Sequence, residues 1–136
     1  MKYLVCYDKS AASVKAMKTA AKRARETGAF VYLVMSAASD ITNEETARLE
    51  NELKVNAEEI FRGNGIDCEF HLLVRGLTPG EDIIKFAKEK DIDEIIIGIK
   101  KRSKVGKLLF GSTAQLVILE AHCPVLSVLE TINISL

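Results

Sequence analysis

The sequence predicts an α/β fold: one domain with a doubly wound, five-stranded parallel sheet and helices on both faces. The chain has 136 residues, which is near the commonest size of a single domain. Short apolar runs alternate with longer segments of helical periodicity, as expected for parallel strands joined by crossover helices. The runs are apolar throughout rather than at every second position, which indicates strands covered on both faces.

Five apolar runs supply the predicted strands. Each is short and is bounded by polar residues or glycine, so a buried strand fits it better than a helix does. The fourth run is β-branched and is expected to end at Gly98. The predicted strands are residues 3–7, 30–35, 68–74, 95–97 and 125–129.

The first two helices have clear boundary residues. Residues 10–27 are rich in alanine, lysine and arginine with apolar residues at helical spacing, and Gly28 is placed to end this helix. Thr42 and Glu45 form a capping-box pattern at the start of the second helix. We expect this helix to stop near residues 63–65.

The third helix has the strongest start of the four. Thr78 is a good cap, Pro79 suits the first helical position, and Glu81 follows the cap by three residues. The fourth helix is expected over residues 112–121, after a segment of about a dozen residues, longer than most connections in compact domains.

Composition and charge exclude several classes of protein. The formal net charge is zero, so a general nucleic-acid binder is not expected, and no apolar run is long enough to span a bilayer. The apolar stretch in the first residues is short for a signal peptide, so we do not expect one. The three cysteines are scattered and lack CxxC spacing, which predicts neither a disulfide framework nor a metal site. We therefore expect a cytoplasmic protein without membrane or nucleic-acid partners.

Candidate ligand-binding residues gather at two predicted strand ends, where doubly wound sheets bind their ligands. The first strand ends at Asp8 and Ser10, and the fourth ends at Gly98. The segment after Gly98 carries five cations, and residues 95–119 contain no acidic side chain. Gly98 can let the backbone turn sharply and approach a ligand closely. Together these features predict a site for a polyanion.

Residues 111–113 strengthen the prediction of a phosphate site. Gly111, Ser112 and Thr113 precede a helix, so free N–H groups and the positive end of the helix dipole would face a bound anion. Simpler interpretations exist for each feature. Ser112 and Gln115 could form a capping box, Asp8 could cap the first helix, and a basic segment can be solvated surface.

The whole chain, over about residues 2–130, resembles the universal stress proteins. Members that bind ATP share a G-x2-G-x9-G-[S/T] pattern, in which Gly98 matches the first glycine and Gly111-Ser112 match the last pair. Lys101 replaces the second glycine. The Asp-Gly-Ser-like triplet after the first strand becomes Asp8, Lys9 and Ser10 here.

The resemblance implies an adenine nucleotide alpha hydrolase-like fold with strand order 3-2-1-4-5. It also implies that ATP or a related adenine nucleotide, with or without Mg²⁺, lies across strands one and four. Asp8 would lie near the ribose or the base, and residues 35–36 would form a wall against the base. The implied nucleotide-binding residues are Asp8, Ser10, Met35, Ser36, Gly98, Lys101, Gly111, Ser112 and Thr113.

Three functions follow from this interpretation. The first is an adenine-nucleotide-binding stress-response or regulatory module without efficient catalysis. The second is a slow ATPase, for which the segment after Gly98 offers cations but no carboxylate base. The third is a nucleotide-independent homodimeric interaction protein in which Lys101 closes the site, although its ammonium could equally contact the phosphates. The resemblance implies a dimer formed through residues 125–129, from Val125 to Leu129.

Overall fold

A computed structural model describes the backbone of residues 1–104, 107–109 and 111–132, and the side chains of residues 1–100 and 111–130. Strands and helices alternate along the chain. A π-helical turn (Ala57–Phe61) and a 3₁₀ turn (Arg62–Asn64) extend the second helix. The elements are β1 (Lys2–Cys6), α1 (Ala11–Thr27), β2 (Phe30–Ser36), α2 (Asn43–Asn56), β3 (Cys68–Leu73), α3 (Pro79–Glu89), β4 (Glu94–Lys104), β5 (Lys107–Leu109), α4 (Ser112–Glu120) and β6 (Val125–Ile132).

The sheet has five parallel strands in the predicted order. β1 pairs with β2 on one side and with β4 on the other, β3 pairs with β2, and β6 pairs with β4. Because β6 is the fifth parallel strand along the chain, the order 3-2-1-4-5 is confirmed. The short strand β5 is an additional, antiparallel partner of the end of β4.

The predicted helix boundaries are confirmed by the cap geometry. The Ser10 side chain accepts a hydrogen bond from the Ser13 amide and caps α1, and Gly28 ends this helix in the left-handed region at φ 73°. Thr42 caps α2 in the same way. At α3, Thr78 and Glu81 exchange both hydrogen bonds of a capping box, at 3.4 and 3.2 Å.

One predicted boundary is wrong: the fourth strand does not end at Gly98. β4 continues to Lys104 and then pairs antiparallel with β5, so much of the expected loop is strand. The extension has a physical cause, because β6 runs parallel to β4 as far as Arg102 and offers it backbone partners. Arg102 pairs with β6 and β5 on opposite sides, so β5 stands beyond the carboxyl end of β1.

The core lies on both faces of the sheet, as continuous apolar strands predict. Neighbouring residues of β1 point to opposite faces: Tyr3 and Val5 pack with Met17 of α1, whereas Leu4 packs with Phe86 of α3. All five side chains are almost fully buried. Among residues 1–104, 107–109 and 111–132, no helix combines the length and apolarity needed to cross a membrane.

Candidate functional site

A cavity of about 460 Å³ lies at the carboxyl ends of β1 and β2 and along β4. This volume is within the range of small-molecule sites, roughly 300–1,000 Å³. The Lys101 side chain lies outside the described side chains. The structure brings all the other candidate residues to the lining of this cavity, namely Asp8, Ser10, Met35, Ser36, Gly98, Gly111, Ser112 and Thr113.

The connection from β1 to α1 forms a hydrogen-bonded wall of the cavity. The Ser10 amide and hydroxyl both donate to the Asp8 carboxylate, the amide at 3.0 Å. The Ser10 hydroxyl oxygen also accepts from the Ser13 amide at 3.1 Å, so one side chain caps the helix and holds the carboxylate. Asp8 itself does not cap α1.

The charge of Asp8 is stabilised by its neighbours. Partial burial by itself would raise the pKa of the Asp8 carboxyl. Hydrogen bonds from Ser10 and Ser13 and the charge of Lys100 have a larger, opposite effect, so the pKa falls below its ordinary value. Lys100 also lines the cavity. At least one cation of the basic segment therefore acts on the cavity, as the charge pattern predicts.

Lys9 occupies a strained backbone position beside this wall. Its φ is 71°, in the left-handed region that glycine enters freely and other residues rarely do. Its ammonium lies 3.5 Å from the Glu52 carboxylate on α2. The position therefore favours glycine, and lysine is accommodated at a conformational cost of about 1–2 kcal/mol.

Gly98 is required by packing rather than by a turn. It lies within β4, paired with Val128 of β6. A Cβ at this position would lie 2.3 Å from the carbonyl oxygen of Ala12 and 2.7 Å from the amide nitrogen of Ser13. The absence of a side chain thus lets the first turn of α1 sit directly against β4. The expectation that Gly98 turns the chain is wrong, although the residue does line the cavity.

Gly111 is different, because none of the described residues demands glycine there. It is the N-cap of α4 at φ −67° and ψ 155°, and a Cβ would have no atom of the described residues within 4 Å. Ser112 is the first helical residue and not the cap, so the alternative that Ser112 and Gln115 form a capping box is wrong. Among the side chains that the structure describes, none caps the first turn of α4, and this turn lines the cavity.

The wall formed by the end of β2 contains an ionic network that the sequence did not reveal. The Ser36 hydroxyl donates to Oδ2 of Asp82 at 2.8 Å, and Asp82 is fully buried in the first turns of α3. Arg75 donates to Oδ1 of Asp82 at 2.6 Å and to the exposed Glu89 at 2.6 Å. Burial alone would lower the pKa of Arg75, but its bonds to Glu89 and Asp82 raise it.

The remaining lining residues are mostly apolar, and the sequence did not mark them as site residues. Cys6 lines it, and burial together with the nearby Asp8 charge raises the pKa of its thiol. A thiol in this state is a weak nucleophile. Several of the other lining residues belong to apolar runs, which in the sequence indicate only a buried core. The lining residues that sequence reasoning did not select are Cys6, Tyr7, Ser13, Val34, Pro79, Ile83, Ile97, Ile99, Lys100 and Ala114.

Comparisons with known proteins agree with this architecture. The model of the Universal stress protein family matches residues 1–128. A universal stress protein of Methanocaldococcus jannaschii is 30% identical over 143 aligned residues, which cover 93% of this chain and 81% of the relative.

Two solved structures from Archaeoglobus fulgidus are also similar. One universal stress protein is 40% identical with a TM-score of 0.82, covering 94% of this chain and 98% of that one. Another, a complex with dAMP, is 34% identical with a TM-score of 0.76, covering 94% and 97%. The chain therefore belongs to the universal stress protein family.

Proposed function

We propose that this chain is an adenine-nucleotide-binding stress-response or regulatory module without efficient catalysis. The observation that carries the proposal is the convergence of the Asp8–Ser10 wall and the uncapped first turn of α4 on one cavity. The 34% identical relative whose structure is a complex with dAMP supports the choice of an adenine nucleotide. We further propose that the protein acts in the cytoplasm.

In this proposal the base lies against Met35 and Ser36, and the ribose lies near Asp8 and Ser10. An ionised carboxylate accepts hydrogen bonds only, which suits the hydroxyl groups of a sugar. The apolar side chains of Pro79 and Ile83 border the same cavity and would pack against a planar base.

The phosphates would lie at the start of α4. Free N–H groups and the positive end of the helix dipole stabilise an anion there, and the described residues leave space around Gly111 for close approach. The residues proposed to hold the phosphates are Gly98, Lys101, Gly111, Ser112 and Thr113. Should the ligand be ATP, an accompanying Mg²⁺ would be held mainly by the phosphates, because Asp8 is the one carboxylate among the described lining residues.

The electrostatics of the cavity favour binding over hydrolysis. Hydrolysis of ATP needs a group that orients or deprotonates the attacking water. Asp8 is a poor general base at neutral pH, because its hydrogen bonds and Lys100 lower the pKa of its carboxyl. A slow ATPase therefore remains the second candidate, and it would require turnover that is lost in Asp8→Ala.

We also propose that the protein is a homodimer through the last strand, from Val125 to Leu129. In the described part of the chain β6 pairs with β4 on one side and has no strand on the other. Exposed strand edges tend to be covered, and Leu129 is 43% exposed. Light scattering should give the mass of a dimer, and a monomer at high protein concentration would exclude this arrangement.

Calorimetric titration with AMP, dAMP and Mg-ATP tests the proposed function, after co-purified nucleotide has been removed. We expect saturable binding near one site per chain. Gly111→Val should weaken binding at least about tenfold, because its side chain would enter the space proposed for the phosphates. Thr42→Val is the matched control: it weakens a helix cap outside the cavity lining and should leave affinity unchanged. No binding by the wild type would favour a nucleotide-independent interaction protein.

A further inference from the structure

Ser36 combines two properties that together restrict what it can bind. It lines the cavity, and its hydroxyl is bonded to a carboxylate that has no exposed surface. Asp82 forms an ion pair with the Arg75 guanidinium at 2.6 Å, and a carboxylate in such a pair accepts hydrogen bonds and donates none. The single O–H of Ser36 is therefore already donated to Asp82 and is not free to bond a ligand.

A hydroxyl group whose O–H donates one hydrogen bond can still accept another through its oxygen. Any hydrogen bond between Ser36 Oγ and a ligand must then be donated by the ligand. We propose that Asp82 is a positioning residue that sets this polarity, and that Ser36 thereby selects a nucleotide whose base carries an exocyclic amino donor, such as the 6-amino group of adenine. The inference rests on the proposed function, because it concerns the wall against which the base is proposed to lie.

The network is built to keep this polarity fixed. Arg75 holds Asp82 through Oδ1 and through the backbone carbonyl at 3.2 Å, which leaves Oδ2 for Ser36. Asp82 also lies in the first turn of α3, whose start is held by the Thr78–Glu81 capping box. A carboxylate rotated by exchange of its two oxygens would present the same acceptor to Ser36, so the preference does not depend on a particular rotamer.

Three nucleoside monophosphates probe the selection directly. AMP carries an amino donor at position 6 of the purine, purine riboside monophosphate carries no polar group there, and IMP carries a carbonyl acceptor. We expect wild-type protein to bind AMP about tenfold more tightly than purine riboside monophosphate, with IMP weakest. Ser36→Ala should reduce the affinity ratio of AMP to purine riboside monophosphate at least about fivefold. Ser36→Thr, which keeps the hydroxyl, should restore this ratio.

Asp82→Asn gives the sharpest test. Its amide oxygen must face the Arg75 guanidinium, which turns the amide nitrogen towards Ser36. Ser36 then accepts a hydrogen bond from the amide, and its own O–H becomes free to donate to a ligand in the cavity. The AMP-to-IMP affinity ratio should therefore fall about tenfold or more. Glu89→Gln is the matched control, because it removes the exposed partner of Arg75 and leaves the Asp82–Ser36 bond intact.

The outcomes separate this inference from the proposed function. If the wild type binds none of the three nucleotides, the proposed function itself fails. If the wild type binds them, but Ser36→Ala and Asp82→Asn leave the affinity ratios of AMP to purine riboside monophosphate and of AMP to IMP unchanged, the selection by Ser36 is overturned while nucleotide binding stands. A loss of thermal stability in Asp82→Asn with unchanged ratios would likewise reduce the network to a structural role.

Discussion

The contact between Gly98 and α1 can be tested by adding a single methyl group. In Gly98→Ala the new Cβ would lie 2.3 Å from the Ala12 carbonyl oxygen and 2.4 Å from its carbonyl carbon. Both partners are backbone atoms, so no side chain can rotate away. The first turn of α1 must move by about 1 Å to reach ordinary contact distance.

The expected cost follows from that displacement. Overpacking a well-packed core costs about 1–3 kcal/mol, and Gly98→Ala should lie at the upper end because α1 is buried against the sheet along its length. We expect the free energy of unfolding, measured by urea denaturation with circular dichroism, to fall by about 3 kcal/mol. The melting temperature should fall by about 10 °C for a chain of this size.

Gly111→Ala is the matched control for this measurement. The same methyl group would meet no atom of the described residues within 4 Å, and the backbone at φ −67° suits alanine. We expect its free energy of unfolding to stay within about 1 kcal/mol of wild type, because the loss of a good N-cap is offset by the reduced entropy of the unfolded chain. Equal stability changes in the two variants would refute the packing argument.

Three further perturbations give distinct results. Lys9→Gly should be more stable than Lys9→Ala by about 1 kcal/mol in urea denaturation. Both variants lose the contact with Glu52, but only glycine adopts the left-handed backbone conformation without strain. Equal stability of the two variants would contradict this. The fold lowers the pKa of Asp8, so its carboxylate contributes stability above the pKa of the unfolded carboxyl, near 4, and this contribution is lost as the pH falls through the lower folded value. The stability difference between wild type and Asp8→Asn should therefore be constant near neutral pH and shrink below about pH 4; growth on acidification would be inconsistent with it. At pH 8, Cys6 should react with iodoacetamide at least about tenfold more slowly in the native than in the unfolded chain, and equal rates by mass spectrometry would disprove the effect of burial.

Local chemistry explains why the helices and parallel strands could be predicted from sequence. Thr78, Pro79 and Glu81 lie within four consecutive residues, and their capping box forms as the spacing predicts. Gly28 ends α1 for an equally local reason, since it adopts a left-handed conformation. Strand order and the meeting of Asp8 with Ser112 at one cavity followed from the family resemblance and the rules for parallel sheets.

The errors arose where distant residues determine local structure. Gly98 looked like a turn after a strand, but its neighbours in space are Ala12 and Ser13, more than eighty positions earlier. The extension of β4 depends on pairing with β6, which no property of residues 99–104 announces.

The buried Asp82 was missed for a related reason. An acidic residue near the start of a helix is ordinary, since it favours the helix dipole. Its importance comes from Ser36, which is 46 positions away in the sequence. A signal was available in Arg75, a cation close to α3 in the chain, but sequence spacing alone does not show that α3 buries the carboxylate between them.

The contrast between the two cavity glycines has a consequence for how such a chain can diverge. Position 98 lies between the cavity and α1, so a side chain there would disturb the sheet and the cavity together. Position 111 lines the cavity, and the described residues leave free space around a Cβ there. Under the proposed function, a lineage could therefore alter its ligand through residue 111 and keep the packing of the sheet. Glycine at position 98 would then be a requirement of the fold, whereas glycine at position 111 would be a requirement of the ligand.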